Sequence, residues 1–210
     1  MPVAICYLDR GEKIISESGA MAWMSSGIKM DTTTGGVGKA FGRAFSGDSF
    51  FQNVYTAEAD NQMITFSSSF PGAIRAIEIT PDKPIICQKS AFLACTGGVT
   101  LSVHLQKKVG AGFFGGEGFV MQKLTGSGIA FVELDGSVFD YDLEPGQTMV
   151  VSTGNLAIAD ASVDIGIKSV GGVKNALFGG EGIFNTTVTG PGKVVLQSIT
   201  MAGFVASISH

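Results

Sequence analysis

Histidine is almost missing from this chain: His104 and His210 are the only two in 210 residues. Serine or cysteine nucleophiles need an imidazole or an equivalent base beside them, and a cupin-like metal centre needs several imidazoles converging in one barrel. Two unrelated histidines supply neither, so no catalytic residue, cofactor site or metal site is expected. His104, inside VTLSVHLQ, reads as an ordinary strand residue with a satisfied ring. Charge is scarce too, at 15% of residues with a net charge of -4. That balance argues against a broad face for polyanions such as RNA. Cys6, Cys87 and Cys95 are an odd number without CxxC spacing, which excludes a disulfide framework and a zinc site and leaves small buried hydrophobes. No run of about 18 clean apolar residues could span a bilayer. The start, MPVAICYLDRGEK, lacks the pattern of a secretion signal or an Arg-rich leader, and a cytoplasmic chain is expected.

Hydrophobic residues, by contrast, make up 45% of the chain and glycine contributes 30 residues. A soluble chain so apolar and so poor in charge is expected to hide surface in an oligomer. The glycines recur in a pattern. FFGGEGF at 113–119 returns as LFGGEGIF at 177–184. The similarity extends further: LEPGQTMVVSTGNLAIADASVDI from Leu143 aligns without a gap to LDRGEKIISESGAMAWMSSGIKM from Leu8 and to ITPDKPIICQKSAFLACTGGVTL from Ile79. In the first copy the glycine motif has drifted to FSGDSF. Three consecutive repeats follow, with boundaries at 1–78, 79–142 and 143–210. Each carries one turn: Phe45, Gly47 and Asp48; Phe114, Gly116 and Glu117; Phe178, Gly180 and Glu181.

Short alternating runs rich in β-branched residues, such as IICQ, VTLSVHL, TMVVS, LAIA and KVVLQSI, give an all-β fold class. In AFVELDGSVFDYDL the dipeptide Asp135-Gly136 predicts a two-residue type I′ hairpin. Three such units, each burying one face against its neighbours, are expected to pack with pseudo-threefold symmetry. An exposed edge strand on the outer units would invite another chain, and closure into a ring removes it, so a homotrimer is expected.

The remaining motifs carry little chemistry. Gly38-Lys39 fails as a phosphate-binding Walker loop, because Thr33 and Ala40 stand where glycine and Ser or Thr are required. Asp48, Glu117 and Glu181 could ring a hard cation, yet a carboxylate after glycine also fixes a turn through backbone N–H groups, and the structural role is favoured. Phe113, Phe114, Phe119 and Phe178 could line a pocket between repeats, but they read first as core. Lys107-Lys108 is the only adjacent basic pair, a solvated strand end or an RNA contact.

FFGGEGFVMQKLTGSGIAFVELDGSV, LEPGQTMVVSTGNLA and FGGEGIFNTTVTGPGKVVLQSI together resemble the family of altered inheritance of mitochondria protein 24 over nearly the whole chain. The resemblance implies three repeats, each a small β-sandwich similar to a subunit of the tryptophan RNA-binding attenuation protein, with a trimer forming a ring of nine. It implies no activity: bacterial members are uncharacterised, and the mitochondrial member is linked to inner-membrane organisation. Without a presequence this chain resembles the bacterial type. The expected function is a non-enzymatic, homo-oligomeric scaffold that holds protein partners. The alternative is a ring binding RNA or a small ligand, by analogy with the attenuation protein.

Overall fold

The computed structural model describes residues 1–34, 51–107, 119–169 and 184–208. The fold is nearly all β, as the alternating runs require. The first six strands are β1 (Val3–Leu8), β2 (Lys13–Glu17), β3 (Met21–Met24), β4 (Ile28–Thr34), β5 (Phe51–Ala57) and β6 (Gln62–Ser67). Next come β7 (Gly72–Ile79), β8 (Ile85–Gln88), β9 (Phe92–Thr96), β10 (Val99–Lys107), β11 (Phe119–Gly126) and β12 (Gly128–Asp135). The last are β13 (Val138–Leu143), β14 (Thr148–Ser152), β15 (Leu156–Asp160), β16 (Asp164–Ser169), β17 (Phe184–Thr189) and β18 (Gly192–Gln197), followed by a C-terminal helix, Met201–Ile208.

All strand pairs are antiparallel. β1 pairs with β6, β7 with β12 and β13 with β18. β2 pairs with β5, β8 with β11 and β14 with β17. β3, β9 and β15 lie on the other side of β6, β12 and β18, and β4, β10 and β16 flank β5, β11 and β17. Two further ladders, β2 with β9 and β8 with β15, join these groups into six-stranded sheets. The result is two six-stranded sheets, β4-β5-β2-β9-β12-β7 and β10-β11-β8-β15-β18-β13, and two three-stranded sheets, β1-β6-β3 and β14-β17-β16.

Three apolar clusters fill the space between sheets. One gathers Leu8, Ile14, Ile28, Tyr55, Ile64 and Phe66, with Ala94 of β9 reaching into it. The second gathers Ile79, Ile85, Phe92, Leu101, Leu124 and Leu134, with Ile158 and Val195 contributed by β15 and β18. The third holds Phe119, Met121, Leu143, Leu156, Val188 and Val194. β8 is buried on both faces, because Ile85 and Cys87 enter the second cluster while Ile86 enters the third.

The Asp135-Gly136 hairpin does not form. Gly136 takes a positive φ of 71°, but Asp135 does not, and a type I′ turn needs both. β12 and β13 belong to different sheets: β12 pairs with β7 and β9, whereas β13 turns away to pair with β18. The Gly136 N–H donates to Pro71 O at 2.9 Å, so the turn fastens one connection to another instead of folding a strand back on its predecessor.

Candidate functional site

The repeated turn residues Phe45, Gly47, Asp48, Phe114, Gly116, Glu117, Phe178, Gly180 and Glu181 lie outside the described residues, as does Lys108. The segments containing them occupy one topological place, each joining two adjacent antiparallel strands: β4 to β5, β10 to β11 and β16 to β17. Lys107 ends β10 with its backbone opposite Phe119. Phe119 itself is fully buried in the third cluster, the core role expected of it. His104 sits in β10 as expected, exposed at a β-bulge where the register shifts between Val103 and Leu105. Burial and the neighbouring Lys123 charge lower its pKa. Cys87 and Cys95 are buried free thiols pushed up to about 12, chiefly by burial, and half-buried Cys6 is pushed up to about 11 for the same reason. Such thiols are inert nucleophiles. Among the described residues no group of three metal-ligating side chains comes together.

Two strand edges stand out. β9 and β15 are each hydrogen-bonded on both sides, by β12 and β2 and by β18 and β8. β3 occupies the same position beside β6, yet among the described residues its other edge carries no strand. At the matching cross-strand positions Ala94 is 0% and Ile158 4% exposed, whereas Trp23 is 48% exposed. The outward face of β1-β6-β3 is correspondingly apolar, with Val3 and Ile5 exposed around a fully buried Thr65. β14 is the counterpart at the far end: β2 and β8 have neighbours on both sides, while among the described residues β14 pairs only with β17, and Val150 is 60% exposed. The sequence alignment sets MAWM beside FLAC and LAIA, but it could not show that, among the described residues, MAWM alone of the three lacks a second neighbour.

The connections between strand groups carry a second feature. Glu133 of β12 is buried, and its carboxylate accepts bonds from Ser68 Oγ at 2.8 Å, Ser69 N at 2.7 Å and Ser69 Oγ at 3.0 Å, all from the link between β6 and β7. Gln197 of β18 holds the next link in the same way: its Oε1 accepts from Asp135 N at 3.0 Å, and its Nε2 donates to Gly154 O at 3.1 Å. The available signal was a lone acid in the apolar run AFVEL.

Burial, with the Glu133 charge beside it, raises the Asp135 carboxyl to about 6. A raised carboxyl pKa means that the folded chain holds the proton more tightly than the unfolded chain. Its contribution to stability is therefore full below about pH 4 and lost as pH rises through about 6. Asp135→Asn should raise the melting temperature at pH 7.5 by about 3 °C, equivalent to ~1 kcal/mol after solvent screening, and leave it unchanged at pH 4. An equal shift at both pH values would assign the effect to something other than this titration.

Compared with known proteins, residues 1–199 match the family model described as mitochondrial biogenesis AIM24. An uncharacterized protein of Streptococcus pyogenes serotype M6 is 24% identical over 218 residues, covering 100% of this chain and 86% of the relative. A crystal structure of a Streptococcus pyogenes protein superposes with a TM-score of 0.82 at 24% identity, covering 99% of this chain and 93% of that one.

Proposed function

Since this chain belongs to the mitochondrial biogenesis AIM24 family, with bacterial relatives of uncharacterised role, we propose that it is a non-enzymatic scaffold acting as a ring of three chains. In this reading each chain is three copies of one six-strand unit, β1–β6, β7–β12 and β13–β18, each a small two-sheet sandwich. The identical partner order within the three sets supports it. Counted by hydrogen-bond partners, the second and third units begin one strand upstream of residues 79 and 143, at β7 and β13.

The observation that carries the assembly is the pair of complementary open edges. Every internal junction joins the second strand of one unit to the third strand of the next. A threefold arrangement closed within one chain would join β14 to β3, and both are edges. The same junction is therefore assigned to neighbouring chains. A head-to-tail contact of this kind makes a closed ring or an open filament, and a ring leaves neither edge free. The internal ladders fix the register. Ile15 pairs with Cys95 and Ile86 with Ala159, and in this reading the equivalent pair would be Val150 opposite Met24 of the partner subunit. The junction would also cover Trp23 on β3, beside Thr65 of β6, as the equivalent Ile158 and Val195 are covered within the chain.

A scaffold needs no reactive group, and the inert thiols and exposed His104 fit that description. Free, buried cysteines suit a reducing compartment such as the cytoplasm. Light scattering of the purified protein tests the assembly: the expected mass is three times the 21.7 kDa of the chain. A single-chain mass would overturn it. Native mass spectrometry of the same sample should show no retained RNA or metabolite, and a retained one would replace the scaffold reading with a binding ring.

A further inference from the structure

The edges of the sheets differ in how they are guarded. Strands exposed at a sheet edge attract other strands, and charges or bulges normally prevent it. β7 carries Arg75 and Glu78, β13 carries Asp140 and Asp142, β4 carries Lys29 and Asp31, and β16 carries Asp164 and Lys168. β10 has its bulge beside His104. Among the described residues only β1, β3 and β14 are uncharged edges. In the assembly reading, on which this step rests, β3 and β14 take each other. β1, with the sequence VAICYL and an unbroken register along β6, is left over.

Its free side can be identified. Ser68 N donates to Pro2 O at 3.1 Å, which makes Pro2 and Ser68 a hydrogen-bonded pair in the β1–β6 ladder. Bonded pairs alternate along an antiparallel ladder, so Ala4, Cys6 and Leu8 face β6 and the N–H and C=O groups of Val3, Ile5 and Tyr7 point away from it. The side chains of these three residues are exposed as well, Ile5 at 51% and Tyr7 at 65%. Ring closure would not hide the last two. The residues at their positions in β7 and β13 are Ala76 and Glu78, and Asp140 and Asp142, and all four stay exposed although the same face is packed on the preceding unit.

The charge around this edge selects an occupant. Beyond Leu8 the chain turns through Asp9 and Glu12, and Glu58 and Asp60 stand on the adjoining connections; all four are exposed. Arg10 N donates to Asp60 Oδ1 and Asn61 N to Asp9 Oδ1, which holds Asp9 and Asp60 together at one end of β1. Against them stand Arg10 and Lys13, leaving an excess of two negative charges (4 − 2). A second copy of β1 brings uncharged side chains and a single α-amino group to that end, one positive charge against an excess of two negative ones. We propose that the free edge of β1 takes a strand from a partner protein, an extended segment with alternating apolar side chains and a basic end. Antiparallel addition, the more stable geometry, puts the partner's basic N-terminal end beside Asp9 and Asp60.

The test uses the full chain and a fluorescent peptide, Lys-Lys-Thr-Val-Thr-Val-Thr-Val, with a twin that starts Glu-Glu. Anisotropy should show the lysine peptide binding and the glutamate twin weaker by about tenfold or more. Ile5→Pro removes a donor that the fold does not use, since proline is accepted on edge strands where its nitrogen faces solvent. It should weaken the lysine peptide by about tenfold while leaving the assembly mass unchanged. The proposal is overturned by no binding of either peptide up to about 1 mM, by equal binding of the two peptides, or by full binding to the Ile5→Pro protein. It is also overturned by a doubled wild-type mass that Ile5→Pro halves, because a second copy then fills the edge. Light scattering on the same samples separates the two ideas: a single chain that binds sinks the ring and keeps the β1 site, and a trimer that binds nothing sinks the site alone.

Discussion

Val150→Pro is expected to convert the assembly to single chains of 21.7 kDa while each chain stays folded. The ladder between β14 and β17 shows why. Gly190 N donates to Gln147 O at 3.0 Å, so Gln147 and Gly190 form a bonded pair, and alternation gives Met149 and Val151 to β17. The Val150 N–H points the other way, toward the position that β9 and β15 fill at the internal junctions. Proline there removes a donor that the single chain does not use and blocks the approach of β3 from a neighbour. A lost ladder bond, its orphaned acceptor and displaced neighbours amount to about 3 kcal/mol per junction. A ring of three feels that three times, roughly 9 kcal/mol, enough to dissolve it at micromolar concentration. Trp23→Asp attacks the other edge and should give the same mass, because its side chain is half exposed in the single chain. Light scattering and a melting curve on each variant check this. A variant that keeps the wild-type mass would mean that the chains meet elsewhere, and one that no longer melts cooperatively would be replaced by the other.

Much of the fold was legible in the sequence because its signals are local. VTLSVHL, TMVVS, LAIA and KVVLQSI became β10, β14, β15 and β18, since β-branched alternation and glycine punctuation act within a few residues. The Asp135-Gly136 turn shows where local chemistry stops. The dipeptide marks a turn, and Gly136 does take the positive φ, but the destination of β13 is set by its ladder with β18 more than fifty residues later. The site was less legible for the same reason. MAWM, FLAC and LAIA are equally apolar strands, and only the presence of β2 beside FLAC and of β8 beside LAIA separates buried strand from open edge. The turn residues that the sequence singled out lie outside the described residues, and recurrence of a motif by itself says little of chemistry.

Glu133→Ala should be strongly destabilising, lowering stability by about 3 kcal/mol and the melting temperature by about 9 °C. Glu133 is 6% exposed, and its carboxylate accepts from one backbone N–H and two hydroxyls at 2.7 to 3.0 Å. Bonds to an ionised acceptor are about twice as strong as neutral ones. Removing the acceptor also leaves the Ser69 N–H short of a partner, whereas the single Ser68 hydroxyl proton keeps an acceptor in Phe70 O at 2.7 Å. Glu133→Gln should cost much less, about 1 kcal/mol, because an amide oxygen can accept the same N–H. The chain already contains that solution: Gln197, at the corresponding place in β18, accepts Asp135 N through Oε1. Calorimetric melting of the two variants at pH 7.5 decides between charge and acceptor geometry. Comparable losses would show that the charge itself holds the link between β6 and β7. A loss confined to alanine would show that any acceptor there suffices, and no loss in either would mean that the three bonds do not bind the first two units together.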